Sequence, residues 1–303
     1  MKINPEIIKK MRTELNFTQA EMAEKLFMSQ RQLSRIENGQ SDLDMLSFYS
    51  ILEILGYRTE DFWLLYLETD EYANYRTFKE LKNLASQQKF GQIQEKLQEL
   101  ENSPLMNYPF IQQYISMIKA RIAPALSVDE RIELLMDTIS QTIKNFDDRK
   151  IKDYKMTFPE VSSVYELANA YSRKEDYQKA IQITGDLLEN IDEMKLSQED
   201  KNGIVPLLYL NLGYWNEFIG DYHKGLKYAQ LSWAACKETG NFRFIHYSLY
   251  RIAKSTFLLG EDEAFYKPWL LRAYHTACGL GDYDVAKTMK EEALNEMGVV
   301  IEY

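Results

Sequence analysis

The chain has 303 residues and a formal charge of −10, with 45% hydrophobic and 27% charged residues, seven prolines and thirteen glycines. So much apolar material excludes a disordered chain and so little turn punctuation excludes a β-sandwich, which leaves a helical protein of about two domains. Two cysteines, Cys236 and Cys278, cannot build a disulfide framework or a four-ligand zinc site. The charges in MKINPEIIKKMRTELNF are wrong for a signal peptide, and no stretch approaches about 20 uncharged apolar residues. A reduced, cytoplasmic protein with no membrane span and no cofactor is the expectation.

The negative charge is unevenly spread. Residues 1–40 carry seven basic side chains against five acidic ones, whereas the rest of the chain stands at −12. Partners respond to local charge, so the first forty residues are where a polyanion would bind. In chain order, Pro5 after Asn4 and the spacing of Ile7, Ile8, Met11 and Leu15 predict a first helix over 5–15. Thr18 followed by Glu21 is a capping-box pattern, and it opens a short second helix through Met22, Ala23 and Leu26. Phe27-Met28-Ser29 interrupts it. A third helix from Gln30 to about Asn38 turns Leu33 and Ile36 inward and Gln30, Arg31, Ser34 and Arg35 outward, and Gly39 ends it in left-handed geometry. Asp42 is predicted to cap a fourth helix containing Leu43, Leu46, Phe48, Ile51, Leu52 and Leu55 and stopped by Gly56, and a fifth is expected over Asp61–Leu67. Two short helices on a tight turn, the second presenting amides and guanidiniums, fit a helix-turn-helix reading head.

FTQAEMAEKLFMSQRQLSRIENGQSDLDMLSFYSILEILG resembles the phage-repressor-like, XRE-type helix-turn-helix family over about 55 residues. That resemblance implies phosphate contacts from Thr18 and Gln19. It makes Gln30, Arg31 and Arg35 the candidate base-reading residues, with Ser29 and Ser34 beside them as further DNA-binding candidates, and it pairs Arg12 with Glu37 as a structural link. The chemistry is independently sensible, since glutamine can pair bidentately with adenine and arginine with guanine in the major groove. The turn position that is often glycine in that family is Phe27 or Met28 here, so a turn without left-handed glycine is expected.

The segment from Phe62 to Tyr75 has no flexible tether composition, and a helical linker is expected over 67–78, between a 1–66 head and a 79–303 body. The body repeats. Tyr165-Glu-Leu-Ala-Asn-Ala-Tyr171 with Asp176-Tyr177 and Ala180 recurs 45 residues later as Leu210-Asn-Leu-Gly-Tyr214 with Gly220-Asp221-Tyr222 and Gly225. A third copy is Tyr250-Arg-Ile-Ala-Lys254 with Gly260, a fourth ends Gly281-Asp282-Tyr283 with Ala286, and Gln88-Lys89-Phe90 with Ile93 and Leu97 is a degenerate earlier one. Small residues (Ala168, Gly213, Ala253) would let paired helices approach and aromatics (Tyr177, Tyr222, Tyr283) would fill the wedge between repeats.

This pattern resembles the tetratricopeptide family, and the fold class expected is all-α: a five-helix XRE-type head followed by a right-handed tetratricopeptide-like solenoid. The resemblance implies a groove lined by the first helix of each repeat, through Tyr165, Asn169, Arg173, Leu210, Tyr214, Glu217, Phe218, Tyr250, Lys254 and Phe257. Amides and a positive charge suit the main chain and terminus of an extended peptide, and aromatic rings suit its side-chain pockets. Head, linker and body together resemble the Rgg, PlcR and PrgX peptide-pheromone regulators of Gram-positive bacteria, with GQSDLDMLSFYSILEILGYRTEDFW most like the Rgg/MutR branch. What this implies is a cytoplasmic homodimer that binds double-stranded promoter DNA and a short linear peptide, with RNA polymerase as a further partner. An XRE-type repressor whose repeats hold a protein instead of a pheromone is the alternative.

Enzyme chemistry finds little support. His223, His246 and His275 lie in separate predicted helices and read as surface or groove residues, and no H-E-x-x-H, G-x-S-x-G or Gly-rich phosphate loop is present. Glu261-Asp262-Glu263 and Glu291-Glu292 read as solvated faces, and the two cysteines as small hydrophobes.

Overall fold

The computed structural model describes residues 4–41, 43, 45–55, 69–86, 90–123 and 126–301. They form α1 (Pro5–Glu14), α2 (Gln19–Lys25), α3 (Gln30–Glu37), α4 (Met45–Ile54), α5 (Thr69–Ser86), α6 (Phe90–Glu101), α7 (Pro109–Ile122) and α8 (Val128–Ser140). The chain continues through α9 (Phe158–Arg173), α10 (Tyr177–Glu189), α11 (Gln198–Phe218), α12 (Tyr222–Thr239), α13 (Ile245–Leu258), α14 (Glu263–Gly279) and α15 (Tyr283–Met297). Among the described residues no helix is long and apolar enough to cross a membrane. The chain divides into two compact units, Met1–Ile111 and Gln112–Tyr303. The Asp42 cap, the Gly56 stop, the helix expected over 61–67 and Gln88-Lys89 lie outside the described residues. Residues 69–78 of the expected linker belong to α5, which runs on to Ser86, and residues 79–111 group with the amino-terminal unit.

The first three helices start where side chains can satisfy free backbone N–H groups. The Asn4 side chain accepts from the Glu6 N–H, Thr18 and Glu21 form a reciprocal capping box, and the Ser29 hydroxyl accepts from the Gln32 N–H. Their apolar faces converge on Ile7, Ile8, Met11, Met22, Leu33, Ile36, Ile51 and Leu52, all buried. Leu15, expected within the first helix, instead caps it: α1 ends one residue earlier, and Leu15 is exposed. Gly39 takes the left-handed conformation at φ +68°. Phe27 does too, at φ 53°, so the turn keeps the glycine geometry with an aromatic in it, and the ring is 98% exposed. A left-handed L-residue costs roughly 1–2 kcal/mol and no packing offsets it here, so Phe27→Gly is expected to stabilise the head by about 1 kcal/mol. Thermal melting of the two full-length proteins checks this.

In the second unit successive helices pair antiparallel, and a common turn recurs. A left-handed residue precedes an aspartate cap at Glu175-Asp176, Gly220-Asp221 and Gly281-Asp282. Asp176 and Asp221 accept from the backbone N–H groups of Lys179 and Lys224. Gly213 is a close-approach point: a Cβ there would meet the Gly225 carbonyl and the Ala229 nitrogen of α12 at 3.2 Å. The expected fourth copy is not a full pair. The α14 helix is already the second member of the α13 pair, so the turn at Gly281 leads into α15 alone, and Tyr283 is 70% exposed rather than wedged between helices. Odd-numbered α9, α11 and α13 touch one another directly while the even-numbered helices scarcely do, which puts the odd layer on the inner side of the curve.

Candidate functional site

In the head, α1, α2 and α3 are locked by one buried ion pair. Arg12 donates through Nε to Glu37 Oε1 at 2.6 Å and through Nη2 to Oε2 at 3.0 Å, and its Nη1 caps the Phe17 carbonyl at 2.6 Å. Gln19 Nε2 donates to the same carboxylate at 2.8 Å, so the side chain expected at a phosphate is also tied to the base of α3. The Thr18 hydroxyl is engaged by Glu21 in the capping box. On this base, Ser29, Gln30, Arg31 and Arg35 stand exposed at or along α3 and Ser34 is half-buried. Arg35 leans toward the Gln40 carbonyl at 3.5 Å, and Gln30 and Arg31 have no side-chain partner among the described residues. Two long polar side chains on the first turn of a helix, free of intramolecular bonds, are what base-edge recognition requires.

In the body, most of the candidate groove residues bond to the next odd-numbered helix. Asn211 Nδ2 donates to both Tyr165 Oη and Asn169 Oδ1 at 2.8 Å, joining α11 to α9. Glu217, buried, accepts from Arg251 Nη1 at 2.8 Å and from the Ser255 hydroxyl at 2.7 Å, and the Arg251 guanidinium lies 4.2 Å from the Tyr214 ring centroid. Tyr250 donates to Glu292 and Lys254 to Glu296, joining α13 to α15. Burial pushes the Tyr165 and Tyr250 hydroxyls up and the Lys254 ammonium down from their ordinary values. Two candidates face other layers: Leu210 packs with Cys236 and Phe244, and Phe257 packs edge-on against Tyr266 of α14. Phe218 is half exposed, stacks on Tyr177 at 4.7 Å and meets Tyr214 edge-on at 4.8 Å. With exposed Arg173 at the end of α9, this aromatic step is the accessible part of the expected groove.

Two readings of the sequence need correction. His246 is 2% exposed, packed on the Tyr247 ring with its Nε2 3.3 Å from Asp282, and burial lowers its pKa; it is neither a surface nor a groove residue. Glu292 does not sit on a purely solvated face, because it takes the Tyr250 hydroxyl.

A reading helix on a rigid head, followed by an antiparallel helical solenoid, defines a helix-turn-helix protein with a tetratricopeptide-like body. A family model described as a helix-turn-helix domain matches residues 6–68. The chain shares its fold with Bacillus thuringiensis PlcR, solved in complex with the peptide PapR7 and DNA, at 18% identity and a TM-score of 0.64 over 98% of this chain and 100% of that one. It is similar in the same way to ComR from S. thermophilus, solved in complex with DNA and its signalling peptide ComS, at 13% identity and a TM-score of 0.54 over 96% and 98% of the chains. A cysteine-to-serine form of the Streptococcus dysgalactiae SHP pheromone receptor Rgg2 matches at 16% identity and a TM-score of 0.50 over 97% and 100%. No curated protein sequence matches the chain.

Proposed function

We propose that this chain is a transcriptional regulator that binds promoter DNA as a homodimer through α2 and α3 and is controlled by a short linear peptide held on the odd-helix layer of its body. It acts in the cytoplasm, without enzymatic chemistry or a cofactor. The observation that carries the reading is the first turn of α3, where Gln30 and Arg31 are exposed and, among the described residues, unpartnered above the Arg12–Glu37 lock. The peptide-bound and DNA-bound relatives of the same fold support it, as does the accessible aromatic step that Phe218 of α11 makes with Tyr177 of α10.

The test is to incubate the purified protein with sheared DNA from its source organism and sequence what is retained. A two-fold symmetric site, with half-sites about one helical turn apart and a neighbouring short reading frame for a secreted peptide, is the expected result. A symmetric site without such a neighbour favours the partner-controlled repressor, and no enrichment, with or without that peptide, removes the reading. Arg31→Ala is expected to lose about 1–3 kcal/mol of preference for that site over random duplex. Competition binding at one fixed salt concentration measures it, and unchanged discrimination takes Arg31 off the reading edge.

A further inference from the structure

The turn that leads into α3 carries a side chain the head itself does not use. The α2 helix closes with the Phe27 N–H donating to the Glu24 carbonyl at 3.1 Å and the Met28 N–H to the Ala23 carbonyl at 3.0 Å. That crossed pair of bonds needs a left-handed residue between the cap Leu26 and Met28, the place where helices usually carry glycine. Met28 then packs against the buried core of the head, which pins the turn from the other side. Among the described residues the remaining left-handed positions hold glycine, Asn16, Asn145 and Glu175, so Phe27 is the one apolar side chain placed there. Among their large apolar side chains it is also the most exposed, at 98% against 70% for Tyr283. The head therefore carries a backbone cost and a bare ring at one position, and no packing of its own offsets either.

Two residues further on, Ser29 caps α3, and two Cα steps of about 3.8 Å keep Phe27 within about 8 Å of that cap. The major groove is about 12 Å wide, so a duplex that takes the first turn of α3 against its base edges meets the ring as well. Ser29, Gln30 and Arg31 offer a hydroxyl, an amide and a guanidinium, all suited to polar base edges. The apolar mark in that groove is the thymine 5-methyl group, and an apolar side chain such as phenylalanine is what matches it. We propose that Phe27 is a specificity-determining residue, whose ring packs on a thymine methyl beside the bases read by α3. This inference rests on the DNA-binding reading of α2 and α3 and extends the reading edge back into the turn. Phe27→Gly then exchanges one property for another: it stabilises the head and blurs the site.

The experiment uses full-length protein and a pool of duplexes with about 30 random base pairs, long enough for two half-sites one helical turn apart. Sequences retained by the wild type and by Phe27→Gly are compared at one fixed salt concentration, and melting of both proteins checks folding. Both are expected to select the same polar core, while the wild type alone fixes a thymine next to it in each half-site. In that selected duplex, deoxyuridine in place of the thymine removes the methyl group and nothing else. It is expected to weaken wild-type binding about fourfold, the worth of one buried methyl group, and to leave Phe27→Gly binding unchanged. Identical selected sequences from the two proteins, or equal sensitivity to deoxyuridine, overturn the proposal and leave α3 as the reader. Equal loss by Phe27→Gly on selected and random duplex assigns the ring to the sugar-phosphate backbone and overturns it as well. No selected sequence from either protein removes the DNA-binding reading and Phe27 with it.

Discussion

Glu37→Ala is expected to destabilise the amino-terminal unit by about 3–5 kcal/mol, because it strands the buried Arg12 guanidinium without its counter-charge. The side chains of Arg12 and Glu37 are only 8% and 1% exposed, so water cannot take over the lost bonds. Gln19 loses its acceptor at the same time. Differential scanning calorimetry of the full-length protein should show one transition moved down by roughly 15 °C, with DNA retention lost above it. The double replacement Arg12→Met with Glu37→Leu is the informative companion: an apolar pair of similar volume commonly restores what a single truncation removes. Recovery of melting without recovery of DNA binding would mean that the pair orients the reading helix as well as holding it.

Glu217→Ala is expected to cost the second unit about 3 kcal/mol, since Arg251 and the fully buried Ser255 hydroxyl both lose their partner. Glu217→Gln keeps an acceptor for Ser255 and should lose about half as much. Chemical denaturation monitored by the tryptophans reads both. Melting left unchanged by Glu217→Ala would release this carboxylate from the inter-helix link and return it to the peptide site.

The contrast between these two carboxylates shows what a sequence carries locally. The Asn4, Thr18 and Gly39 signals concern hydrogen bonds closed within four residues, so the limits of α1 to α3 are legible from the residue types alone. An inward position of a repeat helix is ambiguous in the same data. Its side chain meets either a ligand or the next repeat, and the deciding group lies tens of residues away. Tyr165, Glu217, Tyr250 and Lys254 fit the groove pattern and turn out to bond their neighbours. A usable signal exists: the pairs Asn169–Asn211, Tyr250–Glu292 and Lys254–Glu296 are each 42 residues apart. Complementary polar residues at the repeat period mark positions already taken. Phe27 escaped for a different reason, because its left-handed backbone is imposed by the helices on either side and leaves no trace in the residue itself.

The Arg12–Glu37–Gln19 lock also bears on how such a head could be governed. One carboxylate receives α1, α2 and α3 at once, so the three behave as a single piece of type with no hinge inside it. A signal that changes which promoters are read therefore has no letter to reshape. On the proposed dimeric reading, such a signal would work by spacing, setting the distance and angle at which two identical characters are pressed onto the duplex, so that the vocabulary of the regulator would be written in the gap between half-sites.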